Sequence, residues 1–136
     1  MTTVYLGGAF AEFTPEQVEA KQREVESLLG AGFTCLKPMH QGAYPAELGD
    51  LTTVTLTHRD RLQIEQSRLL ILDFLGAKKV SAGSMIEIGW ATQMGKPIVA
   101  IAESDNPNLT NMSRNLITIV ASSRTQAAAV VRTLLG

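Results

Sequence analysis

Cysteine, histidine and aromatic residues are scarce in this chain of 136 residues, and each scarcity removes a class of chemistry. The single cysteine, Cys35, excludes an internal disulfide and a multi-cysteine metal site. It falls in the strand-like run Phe33-Thr34-Cys35-Leu36, where a buried, inert thiol is expected. The two histidines, His40 and His58, lack the spacing of a metal-binding pair, so no metal is expected. Charge of one sign is also missing. Twelve Lys and Arg against 13 Asp and Glu leave a net charge of −1, which excludes the broad basic field of a polymeric nucleic-acid binder. No apolar run approaches the ~20 residues of a membrane span, and no basic and apolar leader opens the chain. The expectation is a soluble, cytoplasmic protein with no membrane partner.

Aliphatic residues are abundant. A hydrophobic content of 45% with only 5% aromatics suits an aliphatic α/β core, and the length fits one domain over 1–136. Strand patterns at about 2–6, 33–37, 69–74, 97–102 and 116–121 alternate with helix patterns at about 15–29, 55–67, 84–94 and 122–135. Thr14-Pro15-Glu16-Gln17 opens the first helix with a cap, a proline and a capping-box glutamine, and Gly30 closes it. The stretches 38–53 and 106–115 read as polar connections. Alternating elements imply a parallel sheet covered on both faces. Five strands fit a flavodoxin-like (Rossmann-like), doubly wound sheet of order 2-1-3-4-5, whose switch point between strands one and three is where such sheets bind ligands.

Three signals meet there. After the third strand comes Ser81-Ala82-Gly83-Ser84-Met85-Ile86-Glu87, where small residues precede a carboxylate at the start of a helix. Ser84 with Glu87 reads as a capping box, a purely structural role. The same placement also suits a nucleophile held ionised by the helix dipole, with Ser81 and Gly83 offering a hydroxyl and backbone N–H groups to an anionic end. Gly7-Gly8, directly after the first strand, would let a ligand approach the backbone, with Phe10 beside them. Asp60, near the expected start of the second helix, is either a surface acid or a sugar-binding carboxylate. In the long connection, His40, Gln41, Tyr44 and Glu47 are candidates for a substrate-side wall. Tyr5, Phe10 and Thr110 also have plain structural readings as a strand aromatic, a core residue and a turn residue.

Val4-Tyr5-Leu6-Gly7-Gly8-Ala9-Phe10, then Asp60, then Gly83-Ser84-Met85-Ile86-Glu87-Ile88-Gly89-Trp90-Ala91 resemble, in order, the nucleoside 2-deoxyribosyltransferase superfamily. The resemblance implies that Glu87 is the nucleophile, in the Glu-hydrophobic-Gly-aromatic-Ala motif, and that a homodimer or larger assembly completes the site. Ser81 stands where free-nucleoside transferases carry aspartate and 2′-deoxynucleoside 5′-monophosphate N-hydrolases carry a phosphate-binding serine. Thr110-Asn111-Met112 aligns with the segment a neighbouring subunit contributes. Ala11 departs from the hydrolase pattern, which has a phosphate-binding arginine there, and leaves Lys78, Lys79 or Arg114 to replace it. The implied reaction is cleavage of the N-glycosidic bond of a (deoxy)nucleoside 5′-monophosphate, through a covalent glycosyl–Glu87 intermediate, with net retention. In that reading Asp60 holds the sugar and Tyr5 positions the nucleophile. Gly7, Gly8 and Phe10 wall the base. Ser81, Gly83 and, across a dimer, Thr110 hold the 5′ end, and Met112 beside Thr110 is a further substrate-binding residue. His40 is the available general acid, and no cofactor is required. The alternatives are base exchange on free deoxynucleosides, a non-catalytic nucleotide-binding module, and a generic flavin-binding domain resting on fold analogy alone.

Overall fold

The computed structural model describes residues 1–39 and 44–136, and the expected wall residues His40 and Gln41 lie outside them. Strands β1 (Thr2–Gly8), β2 (Phe33–Leu36), β3 (Leu70–Asp73), β4 (Ile98–Ile101) and β5 (Ile119–Ala121) form one sheet. Its order is β2-β1-β3-β4-β5 and every pairing is parallel, as the alternating pattern predicts. Parallel strands covered on both faces need apolar residues at consecutive positions, and β3 and β4 are buried along their whole length.

The pleat sends neighbouring residues to opposite faces. Tyr5, Leu70 and Leu72 pack toward Ile64 of α2 (Thr52–Gln66) and Ile88 of α3 (Ala82–Gln93). Val4, Leu6 and Ile71 pack toward Val25 of α1 (Pro15–Leu29) and Val131 of α5 (Arg124–Leu135). The first helix starts as its sequence predicts. Thr14 Oγ1 accepts from Gln17 N, Gln17 Oε1 accepts from Thr14 N at 2.9 Å, and Gly30 ends the helix at φ 89°.

Several expectations are corrected. β1 continues through Gly7 and Gly8, which pair with Leu72 and Asp73. The polar connection at 106–115 contains a short helix, α4 (Asn111–Leu116), and the connection before α2 contains a 3-10 turn at Ala46–Leu51. The second helix begins at Thr52, so Asp60 lies in its interior instead of near its start. Leu62 of α2 and Leu134 of α5, apolar residues inside helices, are nonetheless 53% and 46% exposed. Among the described residues, no helix is long and apolar enough to cross a membrane.

Candidate active site

Helix α3 starts earlier than its Ser-x-x-Glu spacing suggests, and this changes what Glu87 does. The N-cap is Ser81, whose Oγ accepts from Ser84 N at 3.2 Å. Glu87 is therefore the sixth helical residue, and the capping box expected between Ser84 and Glu87 does not form. The backbone before the cap is pinned from the connection between β4 and α4. Asn108, fully buried, accepts from Ser81 N at 2.7 Å and donates to Lys79 O at 3.0 Å.

Released from capping, the Glu87 carboxylate turns down onto β1. Tyr5 OH donates to Glu87 Oε2 at 2.5 Å, joining the middle of β1 to the second turn of α3. Gly7 makes room for this pair: a Cβ there would stand 2.9 Å from Tyr5 Cε1 and 3.3 Å from Glu87 Oε1. At Gly8 a Cβ would fall 2.2 Å from the Asp73 carbonyl oxygen, so β1 and β3 can pair there only through glycine.

Glu87 is almost wholly buried, and burial raises its carboxyl to about 7. The Tyr5 hydrogen bond pulls the other way and the nearby Asp60 charge adds to the rise. The expected effect of the helix dipole, a carboxylate held firmly ionised, is thus outweighed by desolvation. Burial and the Glu87 charge push the Tyr5 phenol upward, so it remains a donor at any ordinary pH. The Asp60 carboxyl is raised by burial and lowered by Arg59, whose NH1 stands 3.6 Å from Asp60 Oδ1. Among the described residues, that oxygen is buried without a hydrogen bond, as is Ser84 Oγ one helical turn before Glu87. Two polar atoms in one cleft with no hydrogen bond among the described residues are groups a ligand can satisfy.

The cleft holding these residues has a volume of about 550 Å³ and lies at the ends of β1 and β3, the switch point of the sheet. Of the expected site residues, Gly8, Phe10, Asp60, Ser81, Gly83 and Glu87 line it. Tyr5 and Gly7 lie beneath, in contact with Glu87. The described lining does not include Thr110 or Met112, nor Tyr44 or Glu47. Thr110 instead caps α4, and Met112 is 74% exposed. His40 lies outside the described residues. Sequence reasoning missed Trp90, Thr57 and Pro38 in the wall and Asn108 behind it. Trp90 stood in the quoted motif, but nothing local marked the others. Asp73 is not part of the site: Arg124 Nε holds its Oδ2 at 2.7 Å. Cys35 is half-buried, with its thiol pushed up to about 11. Among the described residues, no group of three or more His, Cys, Asp or Glu could hold a metal ion.

A flavodoxin-like sheet whose switch point holds a buried carboxylate hydrogen-bonded to a phenol beneath it defines a class of small-ligand α/β domain with acid–base or nucleophilic chemistry. The family profile for nucleoside 2-deoxyribosyltransferases matches residues 4–119, and the chain belongs to that family. No curated protein matches the sequence significantly. Among solved structures, the 2-deoxyribosyltransferase of Leishmania mexicana is similar at 20% identity and TM-score 0.72, covering 99% of this chain and 100% of that one. The 2-deoxyribosyltransferase of Bacillus psychrosaccharolyticus is similar at 18% identity and TM-score 0.73, covering 93% and 90%. The CMP N-glycosidase BcmB of Clostridium botulinum is similar at 21% identity and TM-score 0.62, covering 98% and 100%. These likenesses are of fold. The family itself is one of enzymes that break or exchange nucleoside N-glycosidic bonds.

Proposed function

We propose that this chain cleaves the N-glycosidic bond of a (deoxy)nucleoside or its 5′-monophosphate by double displacement at Glu87. The buried Tyr5–Glu87 pair on the floor of the cleft is the observation that carries this reading. Tyr5 holds Oε2, which leaves Oε1, beside Gly7, as the attacking atom. Attack forms a C1′–Oε1 ester as the C1′–N bond breaks, and the electron pair leaves with the base, which takes up a proton. Water or an acceptor base then attacks C1′ from the opposite face, losing a proton as the C1′–Oε1 bond breaks and its electron pair returns to the Glu87 carboxylate, so the anomeric configuration is retained overall. Asp60, whose Oδ1 has no hydrogen bond among the described residues, accepts from sugar hydroxyls. Phe10 and Gly8 wall the base, and Ser81 and Gly83 face the 5′ end. Thr110 and Met112 serve the cleft of a second copy in a homodimer. These steps need no metal or organic cofactor.

Resolution by an acceptor base is the second reading, favoured by a family profile named for transfer. Free-base release, followed by chromatography over ribo- and deoxynucleosides and their 5′-monophosphates with and without an acceptor base, separates the two. Glu87→Ala should abolish release with the fold intact, and a glycosyl ester should appear by mass spectrometry on the peptide containing Glu87. Full activity of Glu87→Ala would remove the nucleophile, and silence of the wild type on every substrate would leave a binding module.

A further inference from the structure

We propose that Glu12 is a specificity-determining residue whose carboxylate closes the rim of the cleft to phosphate, restricting the site to substrates with an uncharged 5′ end. This rests on the glycosidase reading above and chooses between its two substrate forms. The described residues that line the cleft include the carboxylates Asp60 and Glu87 and no lysine or arginine. A phosphate there finds no cationic side chain in the described lining, so any cation must come from the rim. Arg114 is unavailable for this: its Nε donates to Leu109 O at 3.1 Å and its NH2 to Ser104 O at 2.9 Å, and it does not line the cleft.

Lys78 and Lys79 lead directly into the lining residues Val80 and Ser81, and consecutive backbone N–H groups are what commonly cradle phosphate. Here the chain's own anion already occupies them. Glu12 Oε1 accepts from Lys78 N at 2.9 Å, and Glu12 Oε2 accepts from Lys78 N at 3.2 Å and Lys79 N at 3.1 Å. Two residues on, Ser81 N is given to Asn108 Oδ1 at 2.7 Å. Glu12 follows Ala11, itself a wall residue, so its clamp joins the loop after β1 to the loop before α3 across the cleft's edge. The exposed Lys78 and Lys79 ammonium groups offset part of its charge from outside the lining.

The six residues from Glu87 to Ser81 rise ~9 Å along the helix. A sugar seated on Glu87 with its 5′ end toward Ser81 thus carries a 5′-phosphate toward the loop that Glu12 clamps, where like charges meet and the amides of Lys78, Lys79 and Ser81 are already bonded. A 5′-hydroxyl at the same place needs only Ser81 Oγ or the backbone at Gly83.

The test compares kcat/KM for a deoxynucleoside and its 5′-monophosphate in the wild type and in Glu12→Gln, which keeps the shape and removes the charge. The expected result is a wild-type preference for the nucleoside and a monophosphate-to-nucleoside ratio about tenfold higher in Glu12→Gln, mainly through KM. A purely structural clamp would lower both substrates together and leave the ratio fixed, which overturns the proposal, as does a wild type that prefers the monophosphate. Calorimetric binding of the same pair to Glu87→Ala and to Glu87→Ala with Glu12→Gln reads the discrimination without turnover. A nucleoside preference in binding that Glu12→Gln reduces, with no base release from any substrate, would sink the glycosidase reading and leave the role of Glu12 standing.

Discussion

Burying a carboxylate that must ionise to attack sets the function of Glu87 against the stability of the fold. Its carboxyl moves from 4.5 to about 7, chiefly through desolvation. Between those values the folded chain keeps a proton that the unfolded chain has released, so stability falls as pH rises and levels off above pH 7. At ~1.4 kcal/mol per pH unit, the loss is on the order of 3 kcal/mol. Glu87→Gln cannot ionise, yet it still offers an oxygen to the Tyr5 hydroxyl. Denaturant unfolding should therefore find the variant close to wild type near pH 4.5 and more stable above pH 7 by ~1–3 kcal/mol, while turnover is lost. An equal gap at both pH values would mean that the carboxylate is not held in a dry site. In the wild type, kcat/KM should rise through about pH 7 as Glu87 becomes the nucleophilic anion.

Two segments of the chain carry the same helix-start spelling, and only one is obeyed. Thr14-x-x-Gln17 forms its capping box because the neighbouring residues already agree: Pro15 suits the first helical position and Gly30 the end. Ser84-x-x-Glu87 does not, because Asn108, 24 residues beyond Ser84, fixes Ser81 and Lys79 and starts the helix a turn early. That difference decides the site, since it frees Glu87 to meet Tyr5. Local signals also failed at α2, where Leu51 precedes the helix without a side-chain cap and Asp60 was placed too near the start. They failed again at α4, whose box is Thr110 with Ser113 and lacks the usual Glu or Gln. The sheet order and most candidate cleft residues were legible because periodicity and topology suffice for them, whereas the pins between loops leave no local trace. Removing the pin tests its worth. Asn108→Leu leaves Ser81 N and Lys79 O unpaired, each costing ~1–3 kcal/mol if it stays buried, and should lower kcat. Asn108→Asp keeps the acceptor for Ser81 N and should recover part of the loss in both measurements. Unchanged turnover in Asn108→Leu, despite lost stability, would show that the Ser81 cap alone sets the helix.

At the scale of the whole molecule, the sheet separates anchoring from chemistry. On the face of α1 and α5, Arg124 ties Asp73 at 2.7 Å and Glu24 at 3.1 Å, so the end of β3 is braced from the side away from the cleft. On the other face the cleft opens beside apolar side chains left exposed among the described residues: Val80 and Ile86 are each about half exposed, and Met112 is more so. Met112 and Thr110 sit on the neighbouring α4 without lining their own chain's cleft, which is the geometry expected if each serves a second copy. Subunit complementation puts that to the test. In a homodimer with shared sites, Glu87→Ala disables a chain's own cleft, and Thr110→Val with Met112→Ala disables its partner's. Each variant alone should be impaired. In an equal mixture that exchanges freely, half of the dimers are mixed and each carries one intact cleft, so about a quarter of wild-type activity should return. No recovery in a mixture shown to exchange subunits would confine the site to a single chain and return Thr110 to its role as a helix cap.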